Sequence, residues 1–213
     1  MEISVSIEPF LKGDGRVLKK YLEDIITLRG RGVSVHFDFF DYNKKVLDLV
    51  GGYSDNIDIH LHSTVGDIDR LVGDLGKYKF ASVSVHSEKI LNLVCVMGKT
   101  NTRYGVVLNL GTEVKDLGHF TSIIKQCEFA TVMTVKCGAS GQAFNASALG
   151  LIKAIKKINP FIRAVVDGGV NDTNIAAVKA AGADIAVVGS YAKKCYEAEG
   201  LEKGLNRLLQ STI

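Results

Sequence analysis

VSVHFDFFDYNKKVLDLVGGYSDNIDIHLHS, residues 33–63, changes its period twice. From 33 to 40 apolar side chains alternate in steps of two, as a half-buried strand requires. From 43 to 51 they recur at helical spacing, and from 56 to 63 the alternation returns. A strand, a helix and a strand joined by short loops make one βαβ unit, whose two strands run parallel.

The same unit repeats outward in both directions. Candidate strands lie at 2–7, 33–40, 56–63, 80–87, 103–110, 129–135, 162–168 and 184–190. Helical stretches follow near 16–28, 43–51, 65–76, 88–97, 114–126, 147–159, 172–182 and 200–211. Thr64 is expected to cap VGDIDRLVGDL, and Asp172 or Thr173 to cap IAAVKAAG, with Gly182 as the stop of that helix. Eight alternations in 213 residues predict an α/β fold, a single (β/α)8 TIM barrel formed by residues 1–213 as one domain, in preference to an open doubly wound sheet.

Composition agrees with one large core: 46% of residues are hydrophobic and 23% charged. The net charge of +3 is small and the basic residues are scattered, so no nucleic-acid surface is implied. MEISVSIEPF has no basic segment followed by a long apolar run, and no stretch is long enough to cross a bilayer. A cytoplasmic protein with no membrane partner is the expectation. Cys95, Cys127, Cys137 and Cys195 form no CxxC pair, which argues against a disulfide framework or a thiolate zinc knot. No interface signature stands out, and a homo-oligomer is compatible with a barrel of this size.

In such a barrel the chemistry lies at the carboxyl ends of the strands. His36, Asp38, His60, His62, His86 and Asp167 all fall there. Parity puts His36 and Asp38 on one face of the second strand and His60 and His62 on one face of the third, with Val35, Phe37, Ile59, Leu61 and Val85 on the opposite face. Branched apolar residues normally fill this interior, so imidazoles and carboxylates there point to chemistry. His36, Asp38, one or both of His60 and His62, and Asp167 from across the barrel suit zinc, iron(II) or manganese. One buried histidine alone would be satisfied by a hydrogen bond. Two buried carboxylates facing each other need protons or a divalent cation.

KCGASGQ (136–142), DGGVND (167–172) and VVGSYAK (187–193) follow the sixth, seventh and eighth strands. A single glycine pair is ordinary turn chemistry. Three such loops at adjacent strand ends, where barrels of this kind bind phosphate, form an anion site. A small phosphorylated substrate would then lie with its reactive end over a metal, between Asp38 and Asp167. Opposed carboxylates suit removal of a proton beside a carbonyl and its return from the other face, which is epimerisation.

Over almost its whole length the sequence resembles the ribulose-phosphate 3-epimerase family. The matching pieces are SVSIEP (4–9), HFDFFD (36–41), DIHL (58–61), SVHSE (84–88), GVVLN (105–109), VMTV (132–135), GQ (141–142) with Phe144, VDGG (166–169) and AGADIAVVGS (181–190). The resemblance implies an isomerase that inverts C3 of a ketose phosphate, D-ribulose 5-phosphate or D-xylulose 5-phosphate. It implies one divalent ion, zinc, iron(II), manganese or cobalt, held by His36, Asp38, His60 and Asp167, with Asp38 and Asp167 doubling as the acid and base. It places Ser6 near the reacting carbon, His60 and Gly168 at the substrate, and Gly141, Gly169, Gly189 and Ser190 on the phosphate.

The sequence also departs from the family pattern. Asp41 leads directly into YNKK without the family's longer loop, Phe40 and His62 stand where pocket methionines are usual, and the sixth-strand loop is altered. A hexulose phosphate such as allulose 6-phosphate is therefore an alternative substrate. From other classes, a metal-dependent hydrolase would use HLH (60–62) as a ligand pair, and loss of metal from a His62→Ala variant would mark it. A non-catalytic sugar-phosphate sensor would have no use for two opposed acids. His86 is expected as pocket lining.

Overall fold

The structure is a computed structural model that describes residues 1–65, 68–87, 102–138 and 141–211. Eight strands close into a parallel barrel in chain order: β1 (Glu2–Ser6), β2 (Val33–Phe39), β3 (Ile59–Ser63), β4 (Ser82–His86), β5 (Arg103–Leu108), β6 (Phe129–Met133), β7 (Arg163–Asp167) and β8 (Ile185–Val188). All eight expected strands are present, each trimmed at one or both ends. Closure pairs Val5 of β1 with Val188 of β8 and leaves no open edge.

Eight α-helices are described: α1 (Gly15–Ile26), α2 (Lys44–Gly51), α3 (Ile68–Leu75), α4 (Leu117–Gln126), α5 (Gly150–Ile158), α6 (Ile175–Ala180), α7 (Ser190–Glu199) and α8 (Leu201–Gln210). The stretch expected as a helix near 88–97, with Cys95, lies outside the described residues. In α1, Asp14 accepts the Arg16 amide at 2.8 Å, and Leu18, Tyr21, Leu22 and Ile25 recur every three or four residues on the buried face. Leu151, Ile152 and Ile155 do the same in α5. These faces meet the outward side chains of the strands, such as Val35, Phe37, Ile59 and Leu61, in one continuous core. Each fully buried side chain of this size contributes about 1.5–3 kcal/mol.

Helix α7 has no counterpart among the expected helices. SYAKKCYEAE is polar, and only Ala192 and Cys195 are buried, so its amphipathic signal is faint. The Thr64 hydroxyl donates to the Phe40 carbonyl at 3.1 Å; residues 66–67, whose amides it is expected to cap, lie outside the described residues. One expected cap differs. Helix α6 begins after Asn174 rather than at Asp172 or Thr173, because Asn171 Oδ1 accepts the Thr173 amide at 2.9 Å and holds that turn outside the helix. Gly182 ends the segment as expected, with φ +95°.

Inside the barrel the wall divides in two. Strands β1–β4 turn serines and imidazoles inward: Ser4, Ser6, Ser34, His36, His62, Ser82, Ser84 and His86 are buried there. Strands β5–β8 contribute Val107, Phe129, Met133, Val165, Ile185 and Val187, in two small apolar clusters separate from the outer core. The polar half extends further than the histidine motifs alone indicate.

Candidate active site

Four side chains meet at the carboxyl end of the barrel. His36 Nε2 lies 3.3 Å from Asp38 Oδ1 and 3.4 Å from Asp167 Oδ2. His62 Nδ1 lies 3.3 Å from the same Asp38 oxygen and 3.5 Å from the same Asp167 oxygen. All four ligand atoms are within 4.8 Å of one another. Ser6 Oγ donates to Asp38 Oδ2 at 2.9 Å and itself receives the Glu8 amide, which fixes the carboxylate from β1.

His60 is not in this group, contrary to the expectation that it supplies the second imidazole. Its place is taken by His62. Both point inward from β3, but they stand at different heights: His62 is the register partner of Asp38, whereas His60 is the partner of His36 and of Ser82. Ser82 Oγ engages His60 Nδ1 at 2.5 Å and holds the ring toward the other end of the barrel. Burial, then the positive charges of His36, Arg103 and Arg163, push His60 down to about 3, so it is neutral.

His62 is held from behind. His86 Nε2 lies 2.9 Å from His62 Nε2, and His86 Nδ1 lies 2.7 Å from Asn109 Oδ1. An amide oxygen only accepts, so His86 carries its proton on Nδ1 and its Nε2 accepts from His62 Nε2–H. With His62 neutral, its Nδ1 lone pair then faces two carboxylates. His86, expected as pocket lining, is instead buried behind His62. Cys137 Sγ approaches His86 Nε2 at 3.6 Å, making a second close group of His62, His86 and Cys137.

The electrostatics demand positive charge at this point. Burial opposes ionisation of both carboxyls, yet His36 and His62 hold Asp38 and Asp167 below the usual carboxylate range. Burial would lower His36, but Asp38 and Asp167 carry it up to about 10, and the same two groups raise His62. Two imidazolium protons balance two carboxylates. One divalent cation with both rings neutral balances them equally well, and geometry favours that fit. His36 Nε2 and His62 Nδ1 are buried with no hydrogen-bond partner, although carboxylate oxygens stand 3.3–3.5 Å away. Four N and O ligands at about 2.1 Å from a tetrahedral ion stand about 3.4 Å apart, close to the separations between imidazole and carboxylate here.

Above the carboxylates the pocket is walled by Ser6, Phe40, His62, Met133, Gly141, Gly168, Gly169, Gly189 and Ser190. The expected glycines of all three loops thus border one pocket, although residues 139–140 of the sixth-strand loop lie outside the described residues. Gly189 precedes α7, so the Ser190 amide opens a helix of ten residues. Thr134 accounts for how β7 presents Asp167: its amide donates to the Asp167 carbonyl at 2.8 Å, and its hydroxyl donates to that carbonyl at 3.0 Å and to the Gly168 carbonyl. Sequence reasoning passed over Thr134, Ser82 and Asn109, since a hydroxyl or amide near a strand end is common and only the folded contacts single these out.

Gly168 has φ +118°, and a Cβ there would lie 2.4 Å from Val135 Cγ2. A Gly168→Ala variant is expected to lose about 2–4 kcal/mol through backbone strain and steric overlap. Urea denaturation measures this directly, and a loss below about 0.5 kcal/mol would show that the loop relaxes freely.

The family model for the ribulose-phosphate 3 epimerase family matches residues 18–192. Ribulose-phosphate 3-epimerase of Serratia marcescens is 29% identical over 179 residues, covering 77% of this chain and 84% of that one. The enzyme of the same name from Aquifex aeolicus is 27% identical over 205 residues, covering 88% and 89%. Among solved structures, 3-hexulose-6-phosphate synthase from Salmonella typhimurium superposes with a TM-score of 0.68 at 10% identity over 100% of this chain and 98% of that one, a likeness of fold. The chain belongs to the ribulose-phosphate 3-epimerase family and is an isomerase of that kind.

Proposed function

We propose that the protein interconverts D-ribulose 5-phosphate and D-xylulose 5-phosphate by inverting C3, with Asp38 and Asp167 as the acid–base pair. The observation that carries this reading is a pair of carboxylates, half-buried Asp38 from β2 and buried Asp167 from β7, around two imidazole nitrogens that no hydrogen bond satisfies. His36, Asp38, His62 and Asp167 would hold one divalent ion, zinc, iron(II), manganese or cobalt. When bound, that ion supplies Lewis acidity toward the carbonyl and hydroxyl oxygens of the substrate.

The residues of the chain do the rest. The phosphate lies against Gly141, Gly169, Gly189 and Ser190, with Gly168 beside them, where backbone donors and a helix start favour a dianion. That anchor sets the sugar carbons between β2 and β7. Asp38, ionised, takes the C3 proton from one face to give an enediolate, and Asp167, which enters this step carrying a proton, delivers it to the other; the reverse reaction starts with the proton on Asp38 and exchanges their roles. Ser6, bonded to Asp38, fixes the oxygen that receives the proton. Phe40 and Met133 cover the pocket with apolar surface, which limits water around the enediolate.

A hydrolase built on the HLH pair would need His60 and His62 to reach one ion. Their side chains serve different ends of the barrel, which disfavours that reading. Because His62 stands among the four, loss of metal in His62→Ala no longer separates hydrolase from epimerase, and the assay must be chemical. In deuterium oxide, the metal-loaded protein is expected to exchange the C3 proton of ribulose 5-phosphate and to form xylulose 5-phosphate. Absence of exchange with that substrate, read by proton NMR, would refute the pentulose reading, and exchange confined to a hexulose phosphate would reassign the substrate.

A further inference from the structure

The amino-terminal mouth of the barrel opens into a cavity of about 310 Å³, larger than the pocket of about 60 Å³ over the carboxylates. It exists because Ser4, Ser82, Ser84 and Thr131 stand where barrels of this type carry branched apolar side chains. Left without contents, a void of this size would cost several kcal/mol, about 24 cal/mol for each Å³. A polar wall lets water or a solute fill it.

Three features give the cavity a chemical preference. His60 keeps part of its surface exposed although it sits at an inward position, and that surface borders this cavity, with Nδ1 engaged by Ser82. Arg103 and Arg163 stand at the mouth, at the starts of β5 and β7. Arg163 is paired with Glu2 at 2.7 Å, whereas Arg103 donates Nε–H to the Ala81 carbonyl at 3.1 Å and, among the described residues, meets no carboxylate. Against these, Phe129, Val165 and Ile185 make an apolar wall on the opposite side. Glu128, also at the mouth, is exposed to solvent.

We propose that this cavity is a second ligand site, which takes a small organic carboxylate with a compact apolar body. The carboxylate meets the terminal nitrogens of Arg103, the natural fork for a planar anion. The body packs on Phe129, Val165 and Ile185, and the hydroxyls of Ser82 and Ser84 border its other edge. His36 forms part of the same wall, while its Nε2 faces Asp38 and Asp167, so one ring separates this site from the pocket at the carboxyl end. The site does not depend on the reaction proposed above.

The probe is 4-fluorobenzoate, observed by fluorine NMR with the metal-loaded full chain. Saturable binding at one equivalent is expected, and it should persist in saturating ribulose 5-phosphate, which occupies the opposite end. Arg103→Gln should weaken it by roughly tenfold or more, through loss of a charge-assisted pair. Ser84→Leu, which fills the cavity, should weaken it similarly. Three results would each overturn the site: no saturable signal, displacement by ribulose 5-phosphate, or an Arg103→Gln affinity equal to that of the wild type. Arg103→Gln changes only the mouth, so its result stands even where Ser84→Leu fails to fold.

Discussion

Asp38→Asn and Asp167→Asn are each expected to abolish epimerisation, with a loss of about 10³-fold or more, while the barrel stays folded. General acid or base catalysis alone accounts for about 10²–10⁴ in rate, and each substitution also removes one charged oxygen ligand. The amide is close to the carboxylate in shape, and at position 38 its oxygen can still accept from Ser6, which now bonds Asp38 at 2.9 Å. Turnover of ribulose 5-phosphate should be measured at saturating metal, with circular dichroism as the control for folding. Full activity in either variant would rule out the two-acid mechanism.

His62→Ala should lower metal affinity by more than about 100-fold, whereas His60→Ala should retain the ion. Loss of an outer partner of a metal ligand already costs about 10–100-fold, and loss of a ligand exceeds that. His60→Ala removes the bond to Ser82 and enlarges the amino-terminal cavity, so its cost falls on stability, on the order of 2–4 kcal/mol. Metal content after gel filtration separates the two. Retention of metal in His62→Ala together with its loss in His60→Ala would return the site to the ligand set that family resemblance implies.

The barrel was legible because periodicity needs no partner: 33–40 and 56–63 alternate whatever they pack against, and eight such segments separated by helical ones have few other solutions. The same parity put His36, Asp38 and Asp167 on the inner wall, and the glycines of three loops at its rim. The choice between His60 and His62 was not legible, because parity assigns both to the same face. What distinguishes them is height along the barrel, set by the pairing of Asp38 with His62 and of His60 with Ser82 across strands that are 22 residues or more apart in sequence. Helix α7 was missed for a related reason. Its stability comes from docking Ala192 and Cys195, where Cys195 lies against Gly204 of α8, rather than from a repeating apolar stripe.

The row of rings behind Asp38 and Asp167 matters for where hydrogen ions can travel. His62 passes to His86, whose Nδ1 meets Asn109 Oδ1, an amide oxygen with no acidic hydrogen to release and too little basicity to keep one. Along that branch no hydrogen ion is relayed. A second contact, of His86 Nε2 with the exposed thiol of Cys137 at 3.6 Å, leads back toward the pocket. In the proposed reaction the rings fix the orientation of one imidazole, and the open mouth of the pocket is the direct route by which a hydrogen ion taken from a substrate carbon would trade places with those of bulk water.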